Sequence, residues 1–241
     1  MTMTMRIDAV WDGIEAIVLD AVGTLIEPFP TVAEVYAAAA HRQGIGLDRE
    51  VVRNRFAQSL RDDESEENLQ ALVTDEPTEL SRWRQIVSSV LPELPEPDRA
   101  FEELWDHFGR PDSWRSFHDV GPSLTQLSDR GIPIAIASNF DGRLRTVLAG
   151  LPELSTLDPR LVISSEVGYR KPHPAFYRAV CDCLGLVPEA LMMVGDDPVN
   201  DVLGACRAGL RGVWLDRRGR GGRTDLLGVN HLAFLVSLRG D

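Results

Sequence analysis

The chain has 241 residues, enough for one large domain or for a domain with a sizeable insertion, and its hydrophobic content of 44% is ordinary for a globular protein. Acidic residues outnumber basic ones by 37 to 25, which gives a formal net charge of −12. A charge of this sign repels nucleic acid and anionic membrane surfaces. We therefore expect no nucleic-acid or membrane partner, but a small ligand or a local positive binding site.

The cysteines and the N-terminal residues predict a soluble protein of the cytoplasm. Cys181, Cys183 and Cys206 form an odd set without metal-type spacing, and we expect reduced thiols with structural roles. The start Met-Thr-Met-Thr-Met lacks a basic segment and an apolar run of signal-peptide length. No stretch approaches the about 18 apolar residues that a membrane span needs.

The first predicted strand covers residues 14–19, whose isoleucine, valine and leucine residues suit a buried parallel strand. Asp20 follows where this strand ends, and a Gly-Thr turn comes after it. An acid at such a strand end faces the crevice in which open α/β sheets bind ligands. A hydrogen bond from Asp20 to its own turn is the plainer alternative.

A block of helices follows the first strand. A proline-rich segment at residues 27–30 breaks the strand, and apolar residues then recur at helical spacing in four segments. Core packing accounts for these apolar stripes, which contain Phe56, Trp83 and Trp105. The acidic run at residues 62–67 is typical of a solvated helix face rather than of a metal site.

Strands and helices alternate in the rest of the chain. Further strands are predicted at residues 132–137, 161–163, 191–194 and 212–215. This alternation predicts a Rossmann-like α/β fold, a parallel sheet covered by helices on both faces and joined by right-handed crossovers. The first strand belongs to that sheet, because alone it buries nothing. The predicted core is therefore residues 1–26 and 117–241, and residues 27–116 form an inserted helical-bundle domain over Asp20, hinged at residues 25–30 and 110–117.

Polar residues follow three of these strands, and one lysine lies in a loop between the later two. They are Asp20, Ser138, Asn139, Lys171, Asp196 and Asp197. Singly, each has a plainer role: Asp197 resembles an N-cap, and the others resemble turn formers or a surface charge. Because the carboxyl ends of parallel strands meet at one edge of a sheet, we expect the whole set to converge on one crevice.

These side chains suit phosphoryl chemistry. Two carboxylates from different strand ends make an oxygen site of the kind that Mg²⁺ prefers, together with waters and a substrate phosphate. Lys171 and Ser138 supply the positive charge and hydrogen-bond donors that a phosphoryl group needs. An aspartate beside a metal can also act as a nucleophile that forms a covalent intermediate. The expected ligands are Mg²⁺ and a small phosphorylated compound.

The motifs within residues 14–25 and 115–215 resemble those of the haloacid dehalogenase-like hydrolases and follow the same order along the chain. This is a large family of mostly Mg²⁺-dependent phosphatases. The resemblance implies that Asp20 is the nucleophile, Ser138 the second-motif hydroxyl and Lys171 the third-motif lysine. Phosphate contacts are expected from Ser138, Asn139, Lys171 and Thr24. The helical insertion resembles the family's first type of cap, a small bundle that closes on the substrate.

The acidic fourth motif, Gly195-Asp196-Asp197-Pro-Val-Asn-Asp201, is the most specific of the matches. By the family pattern, Asp196 is a direct ligand of the metal, together with Asp20 and the backbone carbonyl of Val22. Asp197 and Asp201 are then supporting carboxylates.

Val22 is where the chain departs from the family pattern. Family phosphatases usually carry a second aspartate at this place, as the general acid for the leaving group and then the base for water. The loss of one general acid–base group costs about 10²- to 10⁴-fold, whereas enzymes accelerate reactions by about 10⁶-fold or more. The sequence is therefore still compatible with a phosphatase that is slow or selective for its leaving group.

Two alternatives to a phosphatase stay open. One is a catalytically degenerate member of the family that binds phosphate or a protein partner. The other is a metal-independent dehalogenase in which Asp20 attacks carbon, although Asp196 and Asp197 would repel a carboxylate substrate in the absence of a metal. The basic cluster at residues 217–223 is interpreted as a solvated, glycine-rich surface loop.

Overall fold

The computed structural model describes residues 9–63, 72–155, 160–219, 221, 223 and 225–239. Its strands are β1 (Ala16–Leu19), β2 (Ile26–Pro28), β3 (Trp114–Ser116), β4 (Ile134–Ser138), β5 (Arg160–Ile163), β6 (Leu191–Gly195), β7 (Arg211–Leu215) and β8 (Gly228–Val229). Six of them form a parallel sheet in the order β5-β4-β1-β6-β7-β8. The predicted Rossmann-like α/β fold is confirmed.

Strand β1 lies in the middle of the sheet, between β4 and β6. Val18 is in register with Ala135 on one side and with Met193 on the other. Alternate residues of a strand point to opposite faces, so Ile17 and Leu19 join one hydrophobic core while Ala16 and Val18 join the other. The carboxyl ends of β1, β4 and β6 therefore meet at one edge, where the order of connections reverses and ligands bind in open α/β sheets.

Helices cover both faces of the sheet. They are α5 (Val120–Asp129), α6 (Arg143–Ala149), α7 (Pro152–Ser155), α8 (Ser164–Val167), α9 (Pro174–Leu184), α10 (Gly204–Arg207) and α11 (Leu232–Ser237). Leu124 of α5 and Leu235 of α11 pack into one core, and Phe176 and Val180 of α9 pack into the other. Two connections are short 3₁₀ turns, Pro111–Ser113 and Pro188–Ala190.

Four helices in the described residues between β2 and β3 form a bundle with its own hydrophobic cluster. They are α1 (Val32–Arg42), α2 (Arg49–Asp63), α3 (Glu76–Val90) and α4 (Pro97–Phe108). Thr31 begins α1 with a capping box that Glu34 completes, and Asp75 caps α3 through the backbone N–H of Thr78. Tyr36 of α1 and Val87 of α3 are buried in this cluster. The division into core and cap at residues 27 and 116 stays a prediction.

The antiparallel pair β2–β3 was absent from the sequence prediction. Glu27 is in register with Arg115, and their side chains form an ion pair of 2.6 Å. These strands carry the chain into and out of the helical bundle. Each has only three residues, too few to show a strand period.

The segment after β6 is a wide helical turn. Pro198–Leu203 is π-helical, and α10 continues from it. The backbone N–H of Gly204 donates to the carbonyl of Val199, five residues earlier. Such wide turns occur frequently at functional sites, and this one carries Asp201.

Two observations bear on the compartment prediction. Cys181, Cys183 and Cys206 are free thiols. In the part of the chain that the structure describes, the helices are too short or too polar to cross a membrane. The cytoplasm stays a prediction.

Candidate active site

Lys171 lies at the centre of the site and is the only lysine in the sequence. The residue is 3% exposed, and its Nζ donates hydrogen bonds to Asp20 Oδ1 at 2.8 Å, Asp201 Oδ1 at 2.6 Å and the carbonyl of Ala137 at 3.0 Å. These three acceptors use all three ammonium protons. Burial alone would lower the pKa of Lys171, but the charges of Asp20 and Asp201 outweigh it and hold the pKa above its ordinary value. The lysine is therefore a fixed positive charge.

Asp20 comes directly after β1 and is 6% exposed. Its Oδ1 accepts hydrogen bonds from Lys171 Nζ and from Ser138 Oγ, the latter at 3.4 Å. Its Oδ2 accepts none from the residues that the structure describes. The side chain is thus held by one oxygen while the other remains available to a ligand.

Three carboxylates cluster at this edge of the sheet. Asp20, Asp196 and Asp201 each contribute one oxygen, and these oxygens lie within 4.8 Å of one another. Asp201 is buried, and its oxygens accept from Lys171 Nζ and from the backbone N–H of Asp197 at 3.0 Å. Burial raises the pKa of Asp201, and Lys171 offsets part of that effect. A cluster of oxygen donors alone suits Mg²⁺, so the residues present fit this ion.

Two glycines let the backbone approach the acidic cluster. A Cβ at Gly23, whose φ is +87°, would lie 2.5 Å from Asp196 Oδ1. A Cβ at Gly195 would lie 2.0 Å from Asp201 Oδ2. Any side chain at either position would displace a carboxylate, so the spacing of the cluster depends on both glycines.

Asp197 and Thr24 fix the loops that carry the acids. Asp197 Oδ1 accepts from the backbone N–H groups of Val199 at 2.7 Å and Asn200 at 3.0 Å, which is the N-cap geometry that its position suggested. Thr24 is fully buried, and its hydroxyl oxygen accepts from the backbone N–H of Asp196 at 3.1 Å. The phosphate contact expected of Thr24 stays a prediction.

Asn139 holds the lysine loop against the sheet. Its side-chain oxygen accepts from the backbone N–H of Lys171 at 2.7 Å, and its Nδ2 donates to the carbonyl of Lys171 at 3.0 Å. Ser138, the last residue of β4, therefore contacts the nucleophile candidate, and Asn139, which follows the strand, contacts the lysine.

Arg217 is a site residue that the sequence interpretation missed. Its side chain is only 8% exposed, not solvated as the surface-loop interpretation required, whereas Arg218 and Arg223 fit that interpretation better. Its Nε and Nη2 donate to the carbonyl of Thr24 at 3.0 and 2.8 Å, and its Nη1 donates to Asp119 Oδ1 at 2.8 Å. It ties the loop after β1 to the core, and no local sequence pattern signals a contact across 193 residues.

A cavity of about 370 Å³ lies between the acidic cluster and the helical bundle. Val22, Asn139, Asp196 and Asp197 line it on the side of the sheet. The opposite walls include residues of the helical stripes, which were interpreted as core residues only: Phe56, Leu60, Trp83 and Trp105. These four side chains are half-buried, so the stripes both pack the bundle and face the cavity.

The acidic run at residues 62–67 fits its interpretation at Asp62, which is exposed, but not at Asp63. Asp63, at the end of α2, is half-buried, accepts from Arg82 Nε at 2.5 Å and pairs with Arg170 Nη1 at 3.3 Å. Residues 64–67 lie outside the described residues.

Comparison with known proteins assigns the family. A family model of haloacid dehalogenase-like hydrolases matches residues 14–209. Phosphoserine phosphatase of Thermus thermophilus is 36% identical over 50% of this chain and 49% of its own length, and haloacid dehalogenase-like hydrolase domain-containing protein 3 of Danio rerio is 30% identical over 50% of each chain. These two matches span about half of each relative. The mouse form of the latter protein is 27% identical over 79% of this chain and 77% of its own length.

Solved structures show the same fold. A dehalogenase crystal structure aligns over 94% of this chain and 97% of its own, with a TM-score of 0.73 and 22% identity. The structure of a HAD phosphatase from Thermococcus onnurineus aligns over 94% and 98%, with a TM-score of 0.68 and 23% identity. The match of the family model over most of the chain, together with this fold, shows that the protein belongs to the haloacid dehalogenase-like hydrolases.

Proposed function

We propose that the protein is a Mg²⁺-dependent phosphatase of small phosphorylated compounds, with Asp20 as its nucleophile. The observation that carries the proposal is the oxygen cluster at the sheet edge, where Asp20, Asp196 and Asp201 each offer one ligand atom and Lys171 Nζ bonds to two of the three acids. Carboxylate oxygens grouped in this way suit Mg²⁺, and a bound ion would offset their charge beside a phosphate dianion. Phosphatases among the relatives, such as the N-acylneuraminate-9-phosphatase of Mus musculus, support the same reaction class.

The ligands proposed for Mg²⁺ are Asp20, Asp196 and the backbone carbonyl of Val22, with Asp197 and Asp201 in support. When bound, the ion supplies positive charge that offsets the carboxylates and polarises the phosphoryl group. Lys171 and Ser138 supply the remaining positive charge and donor at the phosphoryl oxygens, and Thr24 and Asn139 are the further phosphate contacts that we propose.

The reaction begins when the Asp20 carboxylate attacks phosphorus. A new oxygen–phosphorus bond forms, the ester bond breaks, and the leaving group departs with the bonding electrons. Val22 has no proton to give, so the leaving group must be a weak base or take its proton from water. Water then hydrolyses the aspartyl-phosphate and restores Asp20, and no described side chain in the proposed set is an obvious base for that step.

We also propose that residues 27–116 act as a cap that closes over the sheet edge, with β2 and β3 as the hinge. Contacts across this boundary are specific: Glu76 of α3 accepts from the backbone N–H of Gly142 at 2.8 Å and from the Ser165 hydroxyl. Closure would exclude water from the phosphoryl group.

Steady-state turnover of an aryl phosphate, with Mg²⁺ and with a chelator, tests the proposal. We expect turnover that requires Mg²⁺, is lost in Asp20→Asn and is kept in Asp12→Asn, a matched change at an exposed aspartate outside the site. A degenerate binding protein would turn over no phosphate under either condition. A dehalogenase would release halide from a 2-haloacid without metal, and either result would replace the phosphatase proposal.

A further inference from the structure

We infer that the substrate carries a bulky apolar group on its phosphate, of the aryl or branched-hydrocarbon kind, rather than a sugar or a second acid. This inference rests on the proposed phosphatase function and names the substrate class for the same site. It comes from the cavity above the acidic cluster, whose volume of about 370 Å³ lies within the range of small-molecule sites.

The cavity borders the acidic cluster at the sheet edge. Val22, Asp196 and Asp197 line it, and Val22 stands two residues from Asp20. A phosphate group held at Asp20 would therefore direct its organic part into this space. Val22 places an apolar side chain where that part begins.

Most of the walls are aromatic or aliphatic. These side chains include Phe56, Leu60, Trp83, Trp105, Trp114 and Phe140. Phe56 and Trp83 stack with ring centroids 6.4 Å apart and an interplanar angle of 20°, and both are only half-buried. An apolar group that covers such walls gains free energy because apolar surface leaves water.

The described walls contain three arginines, and each of them is paired with acids. Arg82 pairs with Asp63 and Glu79, and Arg170 pairs with the same two acids. Although Arg170 Nε has no hydrogen bond in the described structure, it lies 3.8 Å from Glu79 Oε1.

Arg143 is engaged in the same way. Its Nε and Nη2 donate to the two oxygens of Asp141, each at 2.7 Å, and its Nη1 donates to the Trp105 carbonyl. A second acidic group on the substrate would have to displace Asp141, Asp63 or Glu79 from its arginine, so the described walls offer it no unpaired arginine.

A polyhydroxylated group would also bind unfavourably in the cavity. Asn139 uses its oxygen and one N–H on the Lys171 loop, and Trp114 donates its indole N–H to the carbonyl of Phe108 at 3.0 Å. Sugar hydroxyls that enter such a space lose hydrogen bonds to water without full replacement, which costs free energy. The cavity therefore favours hydrocarbon over polyol.

A series of para-substituted phenyl phosphates tests the inference in the full chain with Mg²⁺. Phenyl, 4-methylphenyl and 4-propylphenyl phosphate have leaving groups of nearly equal basicity, so differences in kcat/KM report contacts and not chemistry. We expect kcat/KM to rise about fourfold for each added carbon. The 4-(2-hydroxyethyl) and 4-(2-carboxyethyl) analogues should fall below the propyl compound, the carboxylate furthest.

A matched pair of variants on α3 locates the effect. Trp83→Gln changes a cavity wall, and Leu80→Gln changes a side chain that is 37% exposed and outside the cavity lining. We expect Trp83→Gln to lower the ratio of kcat/KM for propylphenyl over phenyl phosphate by about 10-fold, within the range for small apolar contacts. Leu80→Gln should leave that ratio unchanged, and competitive inhibition by inorganic phosphate should be the same in both.

The outcomes separate this inference from the phosphatase proposal. Equal kcat/KM for the propyl, hydroxyethyl and carboxyethyl compounds would overturn the inference and leave the phosphatase intact. Equal effects of Trp83→Gln and Leu80→Gln on the ratio would also overturn it. If no aryl phosphate is turned over with Mg²⁺, the phosphatase proposal falls and takes the inference with it.

Discussion

The sheet edge and the cavity above it differ in how their charged side chains are arranged. At the edge, three carboxylates each offer an oxygen within 4.8 Å of the others, and Lys171 bonds to two of them. In the cavity walls, Arg82, Arg143 and Arg170 are each held by carboxylates, so their charges are balanced. A cluster of carboxylate oxygens can hold a cation and act on a charged substrate, whereas walls whose arginines are paired select by shape and apolar surface. Chemistry and selectivity thus belong to two adjacent regions of one site.

The largest expected effect falls on the sheet edge. Asp20→Asn removes the attacking charge and should lower kcat on every phosphate by at least about 10⁴-fold, as expected when a nucleophile is removed. Circular dichroism should show an intact fold, because asparagine can keep the contacts of Oδ1 with Lys171 and Ser138. Wild-type turnover in this variant would show that another residue attacks phosphorus.

The second-largest effect is expected at Val22, which lies two residues after Asp20 and also lines the cavity. Val22→Asp should raise kcat on alkyl phosphates by up to about 10²- to 10⁴-fold, since a basic leaving group needs a proton. Turnover of aryl phosphates should change much less. Steady-state kinetics on one alkyl and one aryl phosphate with Mg²⁺ measure the difference. Equal wild-type turnover of the two substrates would mean that some other group transfers the proton.

The third prediction concerns the contribution of Arg217 to the stability of the fold. Arg217→Gln leaves Asp119 buried without its partner, and breaking a buried ion pair typically costs about 3–5 kcal/mol. The loop after β1 also loses two hydrogen bonds to Thr24. Urea unfolding measures the loss, with Arg218→Gln at the exposed neighbouring arginine as the control. Equal unfolding free energies for the two variants would mean that the Arg217 contacts contribute nothing.

The smallest expected effect is a pH dependence of the unfolding free energy that comes from Asp119. Burial alone would raise the pKa of Asp119, but the charge and hydrogen bonds of Arg217 and the backbone N–H of Leu232 lower it below its ordinary value. Ionised Asp119 therefore stabilises the fold above about pH 3.9, the ordinary pKa, and this contribution is lost as the pH falls through the folded-state pKa. Unfolding free energies measured from pH 6 to 3 should decline less steeply in Asp119→Asn. Parallel curves would contradict the assignment.

The sequence predicted the sheet and the acids at its edge because both have local signals. A buried apolar run followed by Asp20, and another followed by Asp196, mark strand ends without any knowledge of the partners. Arg217 gave no such signal, because its contact with Thr24 depends on how distant segments meet. Trp83 shows a third case: its spacing predicted a helix face, but periodicity cannot separate a core contact from a cavity wall.

The isolation of Lys171 has a spectroscopic consequence. Because the sequence contains no other lysine, protein grown with isotope-labelled lysine carries its label at one position, at the centre of the site. Its side-chain resonance can be read without assignment or mutagenesis. Binding of Mg²⁺, of inorganic phosphate or of an aryl phosphate should each shift this one signal, so occupancy of the site can be followed in the unmodified chain.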